Sequence, residues 1–391
     1  MRAIIIGGGI GGLTTAIALR RKGIEAEVFE RSSEVREVGA GISLWANAIK
    51  ALRQLGLGEA LDSISLVNQE GAVRHWNGAF LSRTPLRELE RLFGSGVIVL
   101  HRAELLDLLA RNAGTSNIHP GHQCSSFHQD SDGVTATFSN GQTARGDILI
   151  GADGLHSVVR TGLGHRDPIR YSGYTAWRAV VSYSGPSFPP GESWGPGRRF
   201  GMLPVKGGRA YWFATHNTRA GESGENSQEE LLTLFRGWHE PVEALIRAAT
   251  PSTILRNDIY DREPLPAWGQ GRVTLLGDAA HPMTPNLGQG GCQAIEDALE
   301  LARCLGSGTN VEESLKRYEA SRIPRTSSVV LASRRIGAMG QLENPLLCGL
   351  RNLVLRLTPD SMTLRSLAPV VGYEGHLSAQ HTPGTKSGGR P

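Results

Sequence analysis

The sequence has few cysteines for its length, and their arrangement suggests neither metal nor redox chemistry. Its four cysteines, Cys124, Cys292, Cys304 and Cys348, include no C-x-x-C pair, and no histidine lies at zinc-finger spacing. The missing redox pair excludes a disulfide reductase, and the missing zinc spacing predicts no metal site. Reduced, buried thiols are typical of cytosolic proteins, so we expect a cytoplasmic location.

Long apolar runs and blocks of like charge are also missing. No run approaches membrane-spanning length, and the first apolar run, from Ala3, already has the pattern of a strand. We therefore expect neither a transmembrane segment nor a signal peptide. The 41 Lys and Arg residues exceed the 37 Asp and Glu residues by four, and this excess is spread along the chain. No nucleic-acid partner is expected from such a distribution.

Glycine, in contrast, is abundant, and the hydrophobic pattern changes its period along the chain. The 50 glycines predict tight turns and close approach of the backbone to ligands. The N-terminal pattern predicts a βαβ unit and hence a parallel sheet. Its parts are a strand over 2–6, a helix over 12–22 and a strand over 26–30.

Later segments add helices and a second kind of sheet. We predict a helix over 102–113, short strands over 121–145, buried strands over 147–151 and 272–277, and a helix over 290–305. Residues 170–216 have an antiparallel pattern, in which strands 199–205 and 210–216 flank a turn at Gly207-Gly208. Residues 312–357 are mostly helical, with a kink or break at Pro324 and an apolar stretch, Leu346–Leu357, that we expect to be packed.

Three glycines between the first strand and helix form a dinucleotide-binding fingerprint. Gly7 permits the tight turn, Gly9 lets the backbone approach a pyrophosphate, and Gly12 lets helix and strand pack closely. Glu30 ends the second strand, where its carboxylate can accept both hydroxyls of an adenosine ribose. Because that carboxylate would repel a 2′-phosphate, the bound dinucleotide is FAD or NAD and not NADP.

Two further motifs distinguish FAD from NAD by resemblance. Residues 147–160 are DILIGADGLHSVVR, and residues 277–291 are GDAAHPMTPNLGQGG. Together with the glycine fingerprint, these resemble the three signatures of the single-component FAD-dependent aromatic hydroxylases. That family includes para-hydroxybenzoate hydroxylase, salicylate hydroxylase, zeaxanthin epoxidase and urate hydroxylase. The resemblance covers about residues 1–370 and implies an α/β fold: a Rossmann-type FAD-binding domain with an inserted, mostly antiparallel β-sheet substrate domain and C-terminal helices.

The resemblance also implies roles for individual residues. Asp278 follows a buried strand and would accept hydrogen bonds from a ribityl hydroxyl, and the run from Leu287 through Gly288 and Gly290 to Gly291 would open a helix toward the flavin ring. Pro285 falls where the family places a carbonyl near the reacting oxygen, so Pro285 and Gly288 are the candidate catalytic positions. The remaining implied cofactor contacts are Arg36, Gly41, Arg102 and Asp153. We expect His281 to be structural.

The chemistry implied by the family is that of the flavin. NADH or NADPH, a transient reductant, reduces FAD; O2 adds at C4a; and the resulting hydroperoxide transfers one oxygen atom to an aromatic or heteroaromatic substrate. Alternatives are an epoxidase of an isoprenoid or polyketide alkene, a flavin reductase that does not oxygenate substrate, and a nonenzymatic FAD-binding module.

The candidate substrate residues are Arg199, Tyr211 and Phe213, with the alternative that Tyr211 and Phe213 belong to the core. Arg199 and Tyr211 resemble positions of bacterial urate hydroxylases, but Asn286 replaces an acidic residue of that group, which argues against urate. A two-residue turn at Gly207-Gly208 would place Arg199 and Tyr211 on opposite faces, and only a bulge or a longer turn would bring them together.

The predicted domain organisation is discontinuous. The FAD-binding domain comprises 1–70, 95–165 and 270–310, and the substrate domain comprises 71–94 and 166–269. A helical region follows over 311–373, and the Gly-, Ser- and Pro-rich tail over 374–391 is expected to be disordered. The chain is expected to be a monomer or a homodimer.

Overall fold

The computed structural model describes residues 1–34, 40–68, 70–222, 227–308 and 310–372. In these ranges no helix combines the length and apolarity needed to cross a membrane. The predicted disordered tail lies outside the described residues, and the predicted domain boundaries remain predictions.

Eighteen strands form four sheets within the described ranges. In chain order the strands are β1 (Arg2–Ile6), β2 (Glu25–Phe29), β3 (Gly41–Leu44), β4 (Leu66–Asn68), β5 (Gly71–His75), β6 (Phe80–Thr84), β7 (Val97–His101), β8 (Ile118–His119), β9 (Cys124–Gln129), β10 (Val134–Phe138), β11 (Thr143–Gly146), β12 (Ile148–Gly151), β13 (Arg170–Ser182), β14 (Gly191–Gly195), β15 (Arg198–Val205), β16 (Arg209–Asn217), β17 (Leu255–Asp261) and β18 (Val273–Leu275).

Twelve α-helices accompany these strands in the same ranges. They are α1 (Ile10–Arg20), α2 (Ala46–Gln54), α3 (Gly58–Ile64), α4 (Leu86–Phe93), α5 (Arg102–Ala113), α6 (Val158–Gly162), α7 (Ser227–Leu234), α8 (Val242–Arg247), α9 (Gly290–Ser307), α10 (Val311–Gly340), α11 (Pro345–Leu357) and α12 (Asp360–Val371). Short 3-10 turns occur at Gly277–Ala279 and Pro285–Leu287.

The N-terminal βαβ unit belongs to a five-stranded parallel sheet of order β18-β12-β1-β2-β8. Helix α1 begins at Ile10, two residues before its predicted start, because Gly9 already takes the extended N-cap conformation. The sheet strands are almost fully buried, as expected for a parallel sheet covered on both faces. Their carboxyl ends therefore present one shared edge, where ligands bind in folds of this type.

The second large sheet has seven strands in the order β17-β13-β16-β15-β14-β5-β6, and all pairs except β14–β5 are antiparallel. One face buries Trp177, Phe200, Met202 and Trp212 against α7 and α8. The predicted α/β class with an antiparallel sheet and C-terminal helices is confirmed.

Helix α10 runs across Pro324, so the predicted break is absent and a kink stays a prediction. Buried side chains on both sides of Pro324, including Tyr318 and Val329, fix the helix against the core. The expectation that Leu346–Leu357 is packed is wrong, because α11 buries only Cys348 and Arg351 and five of its six leucines are exposed.

Candidate active site

A cavity of about 560 Å³ opens at the carboxyl edge of the parallel sheet. Its walls come from the segments that directly follow β1, β2, β12 and β18, and from the first turn of α9. The lining includes eight of the residues predicted to bind the cofactor, namely Gly7, Gly9, Glu30, Arg102, Asp153, Asp278, Gly290 and Gly291. Gly12, Gly41, Leu287 and Gly288 lie outside the lining, and Arg36 lies outside the described residues.

The three fingerprint glycines have different surroundings. Gly7 has φ +111°, and a Cβ atom there would clash with the Ala152 carbonyl. A Cβ atom at Gly12 would clash with the carbonyl of Gly7, so this glycine lets α1 pack onto the turn. A Cβ atom at Gly9 would meet nothing within 4 Å, which leaves the N-terminus of α1 open toward the cavity. This geometry leaves the backbone N–H groups and the positive end of the helix dipole free for a phosphate.

Glu30 is held at the cavity wall by two backbone donors. The N–H of Gly8 donates to Oε2 over 2.6 Å, and the N–H of Ser32 donates to Oε1 over 2.9 Å. Each carboxylate oxygen retains lone pairs that can accept further hydrogen bonds. The side chain is therefore oriented before any ligand arrives.

Sequence reasoning missed one wall of the cavity. His122, Gln123 and Cys124 line it beside Glu30. Their loop follows β8, the strand next to β2, and so reaches the same carboxyl edge. The position of β8 next to β2 is what would have predicted this wall, and that position is known only once the strand order is known.

Asp153 and Arg160, from the second motif, connect segments around the cavity through hydrogen bonds. Asp153 Oδ2 accepts hydrogen bonds from the N–H groups of Val158 and Val159, while Oδ1 is buried without a partner in the described chain. Burial raises the pKa of Asp153. Arg160, which is 1% exposed, donates to the carbonyls of Ala279 and Ala280 over 2.9 and 3.0 Å. The second motif therefore holds the third in place.

Asp278 faces the cavity from the turn after β18. Its carboxylate is accessible from the cavity yet surrounded by protein, and burial raises its pKa although His281 and Arg102 act in the opposite direction. The backbone conformation of this turn requires Gly277, which has φ +61°. A carboxylate in this position can accept hydrogen bonds from a polyol.

A buried ionic network lies behind Asp278. Asp297 Oδ2 accepts from the N–H of Gly277 over 3.0 Å and lies 2.6 Å from Nε2 of His281, while Arg322 Nε donates to Oδ1 over 2.6 Å. Burial by itself would raise the pKa of Asp297, but the charges of His281 and Arg322 outweigh it and lower that pKa to about 2. His281 thus supports the turn from behind, in agreement with its expected structural role.

The helix that follows the glycine loop begins at Gly290, as predicted, so Leu287 and Gly288 precede its first turn. Gly288 has φ +62°, and a Cβ atom there would lie 3.1 Å from Trp45 Nε1. Pro285 starts the 3-10 turn and is exposed. The N-terminus of α9 borders the cavity through Gly290 and Gly291.

The predicted separation of Arg199 and Tyr211 is wrong. Arg199 pairs with Thr215, Tyr211 pairs with Leu203, and the last pair of the hairpin is Val205 with Arg209. The turn therefore contains three residues, 206–208, and this longer turn places Arg199, Tyr211 and Phe213 on one face.

That face of the antiparallel sheet contacts β3, the strand whose Ile42 lines the cavity. A Cβ atom at Gly41 would clash with the Tyr211 ring, so the glycine permits this close contact. Tyr211 is 7% exposed and packs with Val99 and Val205, with Leu203 and Phe213 beside them. Burial raises the pKa of the Tyr211 hydroxyl, although the charges of Arg178 and Arg102 oppose that increase.

Arg199 is 2% exposed, and protein groups surround its guanidinium. It donates to Gln341 Oε1 over 2.8 Å and to Asn286 Oδ1 over 2.6 Å, and Glu192 Oε2 lies at 3.5 Å. Tyr174 also donates to Asn286 Oδ1, over 3.2 Å. Sequence reasoning missed these partners because they are 7 to 142 residues away along the chain.

Comparison with known proteins agrees with this arrangement. Residues 1–333 match the FAD binding domain family. The chain is 43% identical to the aurachin C monooxygenase/isomerase of Stigmatella aurantiaca, covering 94% of this chain and 98% of that protein. It is 38% identical to an FAD-dependent urate hydroxylase of Klebsiella pneumoniae, covering 86% and 89%.

A solved structure is similar over nearly the whole chain. Klebsiella pneumoniae HpxO complexed with FAD and uric acid superposes with a TM-score of 0.90 at 34% identity, covering 95% of this chain and 96% of that chain. The resemblance predicted from the three motifs is thereby confirmed. The chain belongs to the family of FAD-dependent aromatic hydroxylases, which are flavoprotein monooxygenases.

Proposed function

We propose that this protein is an FAD-dependent monooxygenase that uses NADH or NADPH to insert one atom of O2 into an aromatic or heteroaromatic substrate. One observation carries the proposal: the aromatic face of the antiparallel sheet contacts the cofactor side at Gly41 and Tyr211. A ring bound on that face would lie near Ile42, the neighbour of Gly41, which lines the cavity.

The residues of the cavity fit FAD. The open turn at Gly9 would receive the pyrophosphate, Glu30 the adenosine ribose, and Asp278 the ribityl chain. The N-terminus of α9, at Gly290 and Gly291, would face the ring edge that becomes negative on reduction. Bound FAD supplies the redox and oxygen-transfer chemistry, by the route that the family resemblance implies.

The remaining cofactor assignments are proposals of the same kind. Arg102 lines the cavity at the start of α5, where its charge would offset that of the diphosphate. Asp153 lines the cavity and accepts from the first N–H groups of α6, so we propose that it positions this wall of the cofactor site. Gly288 and Pro285 would shape the loop over the ring, with no side chain intruding from Gly288.

The substrate face is apolar with one polar corner. Tyr211 and Phe213 contribute aromatic rings to this face, and Arg178 and Arg102 are cations that act on the Tyr211 hydroxyl. This composition favours a flat, largely apolar ring with one polar substituent. Contact between Arg199 and substrate stays a prediction, because its guanidinium already has protein partners.

Asn286 argues for a substrate that needs no carboxylate base at this position. Its amide holds Arg199 and Tyr174 through Oδ1 and donates from Nδ2 to Thr284 Oγ1 and the Ser333 carbonyl. An uncharged amide does not accept a proton near neutral pH, so urate is not the proposed substrate.

Stimulated NAD(P)H oxidation tests the proposal. Aromatic acids, purines, quinolones and carotenoids would be screened for faster NADH and NADPH consumption, and products would be analysed for added oxygen. A hydroxylated ring supports the proposal, and an epoxide supports the alkene alternative. Flavin reduction without an oxygenated product from any compound supports the reductase alternative.

A further inference from the structure

The outer face of α11 is apolar along its whole length. Among the thirteen large apolar side chains that are exposed in the described chain, six belong to this helix. They are Leu346, Leu347, Leu350, Leu353, Val354 and Leu357, with exposures from 49% to 84%. A surface helix normally turns polar residues outward, so this stripe indicates a missing partner.

The helix is held rigidly by its inner side. Asn344 caps its N-terminus by accepting from the N–H groups of Leu346 and Leu347. Arg351 donates to the carbonyls of Met339 and Gly340, and its guanidinium lies 5.2 Å from the Trp194 ring centre. The apolar stripe therefore faces outward because the opposite side of the helix is anchored.

We propose that the partner is a second copy of this chain, with α11 packed antiparallel against its counterpart about a two-fold axis. Four of the five leucines in the stripe, Leu346, Leu350, Leu353 and Leu357, are spaced by four, three and four residues, which is the spacing of a helix-pairing seam. This spacing is the same in both chain directions, so two antiparallel copies can align their leucines. Leu346 then meets Leu357 of the other copy, and Leu350 meets Leu353, as a two-fold interface requires.

Area and charge agree with this partner. Six large apolar side chains, each about half exposed or more, can supply much of the ~800 Å² that each partner contributes to a stable interface. In the antiparallel register, Arg356 lies opposite Leu347 of the second copy, four residues from Glu343 of that copy, so opposite charges border the seam. Both side chains are exposed in the single chain.

A membrane surface and the residues after Gly372 fit the apolar stripe less well than a second copy. Membrane-surface helices carry several basic residues and aromatic anchors, whereas α11 has no aromatic residue and Arg356 is its one exposed charge. The residues that follow Gly372 contain only Tyr373 and Leu377 as large apolar side chains, too few to cover six.

Sedimentation velocity of the FAD-loaded protein over a wide concentration range tests the proposal. We expect a species of twice the chain mass that becomes monomeric in the Leu350→Glu/Leu353→Glu variant, since four carboxylates then meet at the axis. Leu92→Glu changes an equally exposed leucine on α4 and should leave the dimer intact. Flavin content should be unchanged in both variants.

Cross-linking keeps the test decisive if the double variant misfolds. A mixture of Leu346→Cys and Leu357→Cys chains should form an intermolecular disulfide that neither chain forms alone. Two copies of one position lie about 16 Å apart along antiparallel helices. A protein that is monomeric at every concentration contradicts the proposal. A monomer that instead cosediments with phosphatidylglycerol vesicles also overturns it and assigns the stripe to a lipid surface.

Discussion

Arg199 Nη2 donates a 2.6 Å hydrogen bond to Asn286 Oδ1, and this bond joins the antiparallel sheet to the loop before α9. The sheet presents the proposed substrate face, and the loop leads into the helix that borders the cofactor cavity. Arg199 is buried and Asn286 is partly buried, and each also bonds to a further partner, Arg199 to Gln341 and Asn286 to Thr284. This hydrogen bond therefore helps to fix the proposed substrate face relative to the cofactor cavity.

Replacing Asn286 with alanine should destabilise the protein by about 1–3 kcal/mol, because the buried Arg199 and Tyr174 donors lose their acceptor. Chemical denaturation of the FAD-loaded protein measures the change. Asn112→Ala is the control, since that amide is exposed and donates only to the Leu108 carbonyl on its own helix. Equal stability of the Asn286→Ala and parent proteins would show that the bond is not structurally important.

Replacing Glu30 with alanine should weaken FAD binding by about 10- to 150-fold, because charged hydrogen bonds contribute ~1.5–3 kcal/mol each. Fluorescence titration of flavin-free protein with FAD measures the dissociation constant. Glu25→Ala removes an exposed carboxylate from the start of β2, the strand that precedes Glu30, and should leave FAD affinity unchanged. An unaltered FAD dissociation constant for Glu30→Ala would contradict the assignment of this residue to the ribose.

Replacing Asp278 with alanine should remove flavin or turnover while the fold survives. Its carboxylate is the polar group that the turn after β18 presents to the cavity, and the turn itself is held separately by Asp297. Absorbance gives flavin content, and circular dichroism checks the fold. Full occupancy together with full turnover would mean that Asp278 does not hold the ribityl chain.

The Asp297 network should make stability fall in acid. The folded-state pKa of Asp297, about 2, lies below the ordinary value of 3.8, so its stabilisation is complete above about pH 4. It is lost as pH falls from 4 toward 2, when the carboxylate takes up a proton. The melting temperature of Asp297→Asn, lower at neutral pH, should therefore vary less than that of the parent over this range. An identical acid profile in the two proteins would contradict this role.

Replacing Gly288 with valine should increase hydrogen peroxide release per NAD(P)H consumed. The new side chain would be strained at φ +62° and would press on Trp45, which would disturb the loop that we propose excludes water from the reacting centre. Gly94→Val carries similar strain, φ +72°, with no neighbour within 4 Å, and should leave the ratio unchanged. A parent-like ratio in Gly288→Val would show that this loop does not enclose the reaction.

The local parts of the site could be predicted from the sequence, and the long-range parts could not. Gly7, Gly12 and Glu30 act within one βαβ unit, so their spacing determines their placement. The faces of Arg199 and Tyr211 depend on whether the hairpin turn has two or three residues, and glycine-rich sequence at 206–208 permits either. The partners of Arg199, including Gln341, depend on how α10 ends against the sheet, which no local pattern indicates.

The proposed activity is transfer of an oxygen atom from O2 to an aromatic ring. The direct measurement is mass spectrometry of the product formed under isotopically labelled O2 with NADH or NADPH and a substrate that stimulates turnover. One labelled oxygen atom in each product molecule is the predicted result. Stoichiometric peroxide from NAD(P)H with every compound tested, and no labelled product, would contradict the claim.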